Sequence, residues 1–298
     1  MRSLVLRPHA KINLGLRIVG SMPDGFHEVR TRFQSIDLTD ELVLEEAPRE
    51  LRLEVEGARL PADASNLVLR AARALRDIRP GLPGARILLK KRIPLAAGLG
   101  GGSSDAAATL LGLSRLWDLP LAAEDLSRMG SELGADVPYF LVGGAALGTG
   151  RGDRVVALPD PLPFRIALAL PPLAVSTAEA YRLWDELSGS FQGRPRLEDF
   201  SGGNPAEEPS QRSVTNDLEA IAFSRHPKLG EFREILLRHG ARAAALSGSG
   251  PSVYGLFDSS EEISALLADP AWDGVTVLEC APVGRSAYWS RLGLPLSD

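Results

Sequence analysis

From Pro94 to Ala107 the chain reads PLAAGLGGGSSDAA, a glycine-dense loop running straight into an alanine-rich helical pattern. That arrangement suits phosphate. Glycines at 98, 100, 101 and 102 permit positive φ and let main-chain N–H groups approach a ligand with no Cβ in the way. Ser103 and Ser104 fall where a helix should begin, with Asp105 in its first turn and Ala106, Ala107, Ala108, Leu110, Leu111, Leu113 and Leu116 continuing it. Unpaired amides at a helix N-terminus, together with the helix dipole, favour an anion. Two familiar phosphate loops fit poorly. A P-loop needs Gly-Lys-Ser/Thr at its end, and here Lys90 and Lys91 precede the glycines; a dinucleotide fingerprint would want glycine where Ser103 stands. The competing reading is a flexible surface loop ahead of a capped core helix.

The elements that must carry this loop can be read around it. Leu4 to Leu6, Ile12 to Ile18, Leu42 to Leu44 and Leu51 to Val55 read as short strands separated by Pro, Gly and charged turns. Leu67, Ala71, Ala72, Leu75 and Ile78 recur on one face of a helix capped by Ser65. Ile87 to Leu89 is a strand leading into the glycines, and helices are expected at 103–117 and 121–133. Beyond Gly148, a strand at Phe164 to Leu170, helices near 177–187, 214–223 and 228–239, and strands near 242–246 and 252–257 suggest a second α+β unit. The stretch 188–213 is rich in Gly, Pro, Ser and charge, which reads as a long exposed loop.

The chain has 298 residues, 44% hydrophobic and 24% charged, enough for two packed domains, and no apolar run long enough to cross a bilayer. Its N-terminus lacks the continuous apolar core of a secretory signal, so a cytoplasmic location is expected. Cys280 is the sole cysteine, which excludes an intrachain disulfide and a cysteine-based zinc cluster; within the run Val275, Val277, Leu278 it reads as a core thiol and not a nucleophile. A net charge of −5 argues against nucleic acid as partner. A small anion remains compatible, because Lys11, Lys90, Lys91 and Arg92 can make a locally positive cleft.

Three segments, PHAKINLGL at 8–16, the glycine loop at 94–107 and LSGSGPS at 246–252, occur in an order that resembles the GHMP kinases. That superfamily includes galactokinase, homoserine kinase and mevalonate kinase, and its phosphate loop has the form P-x-x-x-G-L-G-x-x-S-S. Together with DGFHEVRTRFQSIDLTD and LGADVPYF, these segments are similar to the branch that phosphorylates a cytidine-diphosphate-linked methylerythritol in the non-mevalonate route to isoprenoid precursors. The resemblance implies a two-domain α+β GHMP-kinase fold, with an N-terminal domain over 1–155 and a C-terminal domain over 156–298, and nucleotide and substrate sites in the cleft between them. It implies ATP as phosphoryl donor, accompanied by Mg²⁺ whose protein ligands are left open, and leaves the oligomeric state open.

Carried onto this sequence, the resemblance makes Asp136 the catalytic base and Lys11 the lysine beside it. The nucleotide falls to Pro94, Ala96, Ala97, Gly98, Leu99, Gly100, Gly101, Gly102, Ser103 and Ser104, with Asn66 and Lys91 near adenine and ribose. The acceptor falls to Asn13, Phe26, His27, Thr177, Tyr181, Gly248 and Gly250. Phe26 stands where the family usually has tyrosine, which keeps stacking but loses a phenolic hydroxyl. Plainer roles compete for several of these: a helix cap before Pro138 for Asp136, a solvated strand lysine for Lys11 or Lys91, a helix start for Asn66, helix packing for Tyr181, and a strand-connecting turn for Gly248 and Gly250. The remaining alternatives are a GHMP kinase with another small acceptor and a metabolite-binding protein on the same fold without turnover.

Overall fold

The computed structural model describes residues 2–160, 163–188 and 214–294. The loop expected at 188–213 therefore lies, but for its first residue, outside the described residues. Along the chain, β1 (Ser3–Leu6), β2 (His9–Ser21), β3 (His27–Thr39), β4 (Glu41–Ala47) and β5 (Leu51–Glu56) precede α1 (Leu67–Ile78). Then β6 (Gly84–Lys90) leads to α2 (Gly101–Leu116), α3 (Ala123–Leu133) and the single turn α4 (Val137–Phe140). There follow β7 (Ala145–Thr149), β8 (Arg154–Ala157), β9 (Arg165–Leu170), α5 (Thr177–Ser188), α6 (Glu219–Arg225) and α7 (Pro227–Arg238). The described chain closes with β10 (Ala243–Leu246), β11 (Val253–Phe257), α8 (Ser260–Leu267), β12 (Thr276–Cys280) and α9 (Arg285–Leu292). Among the described residues no helix is long and apolar enough to cross a membrane.

Among the described residues, three four-stranded sheets organise these elements, in the orders β1-β4-β6-β5, β2-β3-β7-β8 and β10-β11-β9-β12. All pairings are antiparallel except β5 with β6. The first sheet packs α1 and α2 through Leu42, Leu44, Ile87, Leu89, Leu75 and Leu110. Ala10, Ile12, Leu14 and Ile36 of the second sheet meet Ile166, Leu168, Tyr254 and Leu256 of the third. The third sheet carries α7 and α8 on its other side, with Leu229, Phe232, Leu236 and Leu266 against Ala167, Ala169 and Phe257.

The pair β2–β3 is the frame of the site, and its register explains an awkward sequence pattern. Lys11 pairs with Ser35 and Asn13 with Phe33, then a bulge between Asn13 and Gly15 shifts the register so that Leu16 pairs with Thr31 and Ile18 with Val29. The extra residue flips the alternation. Lys11 and Asn13 thus share a face with Leu16, Thr31 and Phe33, and all five line one cavity.

Several sequence expectations need correcting. Asn66, not Ser65, caps α1: its Oδ1 accepts the Val68 N–H at 3.0 Å, whereas Ser65 turns its hydroxyl to Asp63 at 2.6 Å. Helix α2 begins at Gly101, two residues before Ser103, because Gly100 takes φ +69 as the cap. Of the four loop glycines only Gly98 and Gly100 have positive φ, joined by Ala96 at φ +50; Gly101 and Gly102 are already helical. Helix α6 starts at Glu219, since Val214 to Asp217 runs along β2, with Leu16 and Thr215 sharing a 2.8 Å backbone hydrogen bond. Strands β3, β7, β8 and β12 and helices α8 and α9 had no counterpart in the sequence reading.

Candidate active site

A cavity of about 520 Å³ opens where the second sheet, the glycine loop, α5 and the turn after β10 meet. Its wall gathers Lys11, Asn13, Lys91, Pro94, Ala96 to Ser103, Asp136, Thr177, Tyr181 and Gly248 from the expected residues, together with Arg151 and Ser249. Phe26, His27, Asn66, Ser104 and Gly250 do not line it.

The glycine loop is held from two directions. The Lys11 N–H donates to Leu99 O at 3.0 Å, and the Ser247 hydroxyl donates to Gly98 O at 2.9 Å. A Cβ on Gly98 would stand 2.0 Å from Ser247 O, and one on Gly100 would meet the Phe140 ring at 2.8 Å. Glycine is required at both, by positive φ and by space. No side chain caps α2 among the described residues, so the amides of its first turn stay available to a ligand in the cavity. Ser103 lines that cavity, whereas Ser104 does not, and its hydroxyl is buried with no partner among the described residues.

Asp136 sits ahead of a turn that is buried throughout. Val137, Pro138, Tyr139 and Phe140 are all buried; Tyr139 OH donates to Gly144 O at 2.8 Å and stacks on Phe33 at 4.5 Å, while Tyr288 OH donates to Phe140 O at 2.7 Å. This fixes α4 and leaves the Asp136 carboxylate one-third exposed, with no cap hydrogen bond of its own. The cap role proposed for Asp136 by its position is therefore not the one its side chain performs. The Lys11 ammonium, 4% exposed, lies 3.5 Å from Asp136 Oδ2 and donates to Asn13 Oδ1 at 2.6 Å; Asn13 Nδ2 in turn donates to Thr31 Oγ1 at 2.7 Å. Lys11 is no solvated strand lysine.

At the far end, Tyr181 and Thr177 reach the cavity from successive turns of α5, and Thr177 Oγ1 is 2.9 Å from Ser249 Oγ. Burial, with the charges of Asp136 and Asp217, pushes the Tyr181 phenol well above its ordinary pKa, so it stays a neutral donor. His27 stacks on Tyr181 at 4.8 Å, meets Trp184 edge-on at 5.6 Å, and places Nε2 2.7 Å from Asp185 Oδ1. Its imidazole is thus engaged by α5. Phe26 is 53% exposed and the Arg151 guanidinium lies 4.8 Å from its ring centroid, a cation–π arrangement at the cavity rim. Gly248 and Gly250, at φ +59 and +86, form the tight turn closing that end.

Asn66 is committed to its cap and to Pro61 O at 2.8 Å. Lys91 is committed too: its ammonium, side chain 2% exposed, donates to Asp40 and to Asp105 Oδ2 at 2.8 Å, so it is not the solvated residue its position after a strand suggested.

Sequence reasoning missed Asn216, Arg151, Asp40 and Asp105 as site residues. Asn216 Nδ2 donates to Leu246 O and Gly248 O at 2.9 and 2.7 Å while its Oδ1 accepts the Leu218 N–H; an Asn ahead of a helix signals a cap, but nothing local shows that it also braces a distant turn. Arg151 stands alone between two glycines, a cation in a tight turn that could have drawn notice. Cys280 is buried, and desolvation pushes its thiol up to about 12, in line with a core role.

Residues 66–144 match the GHMP kinases N terminal domain and residues 203–269 the GHMP kinases C terminal family. A 4-diphosphocytidyl-2-C-methyl-D-erythritol kinase of Moorella thermoacetica is 43% identical over 267 residues, 88% of this chain and 92% of that one. One from Solibacter usitatus is 45% identical over 85% of this chain and 80% of its own. Among solved structures, a 4-(cytidine 5'-diphospho)-2C-methyl-D-erythritol kinase superposes with TM-score 0.77 at 33% identity, covering 94% of this chain and all of that one. Homoserine kinase from Cytophaga hutchinsonii, at 22% identity and TM-score 0.74 over 95% of each chain, shares the fold.

Proposed function

The chain belongs to the 4-diphosphocytidyl-2-C-methyl-D-erythritol kinase family of GHMP kinases, and we propose that it transfers the γ-phosphoryl group of ATP to the 2-hydroxyl of 4-diphosphocytidyl-2-C-methyl-D-erythritol, releasing ADP. The observation that carries this reading is the Lys11–Asp136 pair, 3.5 Å apart on the wall of the cavity that the glycine loop also lines. Asp136 accepts the proton of the attacking hydroxyl as its oxygen bonds to the γ-phosphorus and the bond to the β-phosphate oxygen breaks. Lys11, oriented by Asn13, holds the carboxylate and stabilises the charge on the transferring group. The amides of Gly101, Gly102 and Ser103 take the phosphates.

The methylerythritol portion belongs between Asp136 and the Gly248 turn, and the cytidine at the end marked by Phe26, His27 and Tyr181. The exposed Phe26 ring supports that assignment. Mg²⁺ entering with ATP would offset phosphate charge during transfer. The substrate is a small molecule, neither nucleic acid nor membrane enters the reading, and the cytoplasm is its setting.

The test supplies purified protein and Mg-ATP with 4-diphosphocytidyl-2-C-methyl-D-erythritol, homoserine or mevalonate in separate reactions, following ADP and the phosphorylated product together. Matched formation of ADP and the 2-phosphate with the first acceptor alone is expected. Efficient phosphorylation of homoserine or mevalonate would reassign the substrate, and binding of both ligands without ADP would make this a binding protein.

A further inference from the structure

Beneath the first turn of α2, three elements deliver charge to one buried point. Asp40, in the turn between β3 and β4, is 1% exposed, Lys91 follows β6, and Asp105 lies in the second turn of α2 at 2%. Asp40 accepts the N–H groups of Arg92 and, at 2.9 Å, Ile93 through Oδ1 and pairs with Lys91 through Oδ2; Lys91 also donates to Asp105 Oδ2 at 2.8 Å. A Cβ on Gly101 would stand 3.1 Å from Lys91 Nζ, so the ammonium lies directly under the loop-to-helix junction.

That placement is costly. An ammonium at a helix N-terminus opposes the dipole, and burying it with two carboxylates costs desolvation that apolar side chains would avoid. What the location does supply is an ammonium directly beside the amides that the loop presents, its charge offset by two carboxylates. We propose that Asp40, Lys91 and Asp105 set how tightly the loop holds the nucleotide's phosphates, Lys91 supplying the attraction and the two carboxylates positioning it and holding it in check. Asp105 is the tuning member: among the described residues its buried Oδ1 has no hydrogen-bond partner, and its Oδ2 faces Lys91. Burial pushes this carboxyl up to about 7 against the pull of Lys91, the mark of a charge held where solvation does not favour it.

The inference rests on the reading of the loop as the ATP site, and charge arithmetic separates the two. Well above pH 7, where Asp105 is ionised, the cluster carries −1 and Asp105→Asn makes it 0, whereas Lys91→Met removes the ammonium and leaves two buried carboxylates that share a proton, so attraction for phosphate falls from Asp105→Asn to wild type to Lys91→Met. The KM for ATP, measured with the KM for the acceptor as internal reference and the fold checked by circular dichroism, should follow that order. Asp105→Asn is expected to lower it about threefold at a pH well above 7 and Lys91→Met to raise it about tenfold, with the double variant staying close to Lys91→Met. A merely structural cluster would make every variant, Asp105→Asn included, a loss that falls on kcat and both KM values together. If Lys91→Met does not fold, the near-isosteric Asp105→Asn still decides the matter, because a raised or unmoved KM for ATP in that variant overturns the inference. A wild type that binds no ATP overturns both readings; an active wild type whose variants keep its KM for ATP overturns this one alone.

Discussion

Lys11 is buried and Asp136 partly open, and this asymmetry serves the proposed reaction. The ammonium is fixed by Asn13 and by the Phe33 ring 5.6 Å away, while the carboxylate keeps a free edge toward the cavity. Single residues were also where sequence reasoning ran out soonest. Lys11 and Asp136 could be nominated only through the resemblance, since a lone strand lysine and an Asp before Val-Pro have commoner explanations. Lys91 was placed near the nucleotide, but its carboxylate partners come from positions 40 and 105 and no local pattern announces them. Arg32 shows the same limit. It is 5% exposed, burial lowers its pKa, and Nε and Nη2 find no hydrogen-bond partner among the described residues. A buried charged group left unsatisfied costs stability. Arg32→Leu should therefore stabilise the fold by about 2 kcal/mol, seen as a higher urea midpoint with an unchanged slope; a lower midpoint would mean that the guanidinium is satisfied after all.

Elements were legible where one face is apolar and the other wet. Helices α1, α3 and α7 and strands β1, β4, β5 and β6 follow periodicity and lie close to where the sequence places them. Strand β3 escaped because both its faces are covered and much of the strand is itself polar: Thr31, Arg32, Gln34 and Ser35 are all buried, so no alternation marks it. The start of α2 moved two residues toward the loop because the glycines do not share one backbone state. That difference is testable. Gly98→Ala must place a Cβ 2.0 Å from Ser247 O at positive φ, whereas Gly102 is helical and its Cβ would meet only Leu67 at 3.7 Å. Gly98→Ala should lose both stability and activity. Gly102→Ala should gain up to about 1 kcal/mol of helix stability while raising the KM for ATP, because its methyl narrows the approach of phosphate to the first-turn amides. Equal loss of stability in the two variants would contradict the assignment.

At the scale of the whole molecule, the cavity exists because the two ends of the chain are laced together around it. Asn216 and Ser247 tie the Gly248 turn to β2 and to the glycine loop. Helix α9 returns to the first half of the chain, where Tyr288 and Leu292 join the core beneath α2. The linear order of three motifs was enough to anticipate the two-domain fold, but not this lacing, which depends on hydrogen bonds between positions far apart in sequence. In the proposed reaction the cavity transfers a phosphoryl group with Asp136 as base. The most direct test is Asp136→Asn, assayed under single turnover with Mg-ATP and 4-diphosphocytidyl-2-C-methyl-D-erythritol while nucleotide binding is measured on the same preparation. Phosphoryl transfer should slow by about 10²–10⁴-fold with ATP affinity within a few-fold of wild type. Transfer at the wild-type rate in a variant that still binds ATP would contradict that role for Asp136.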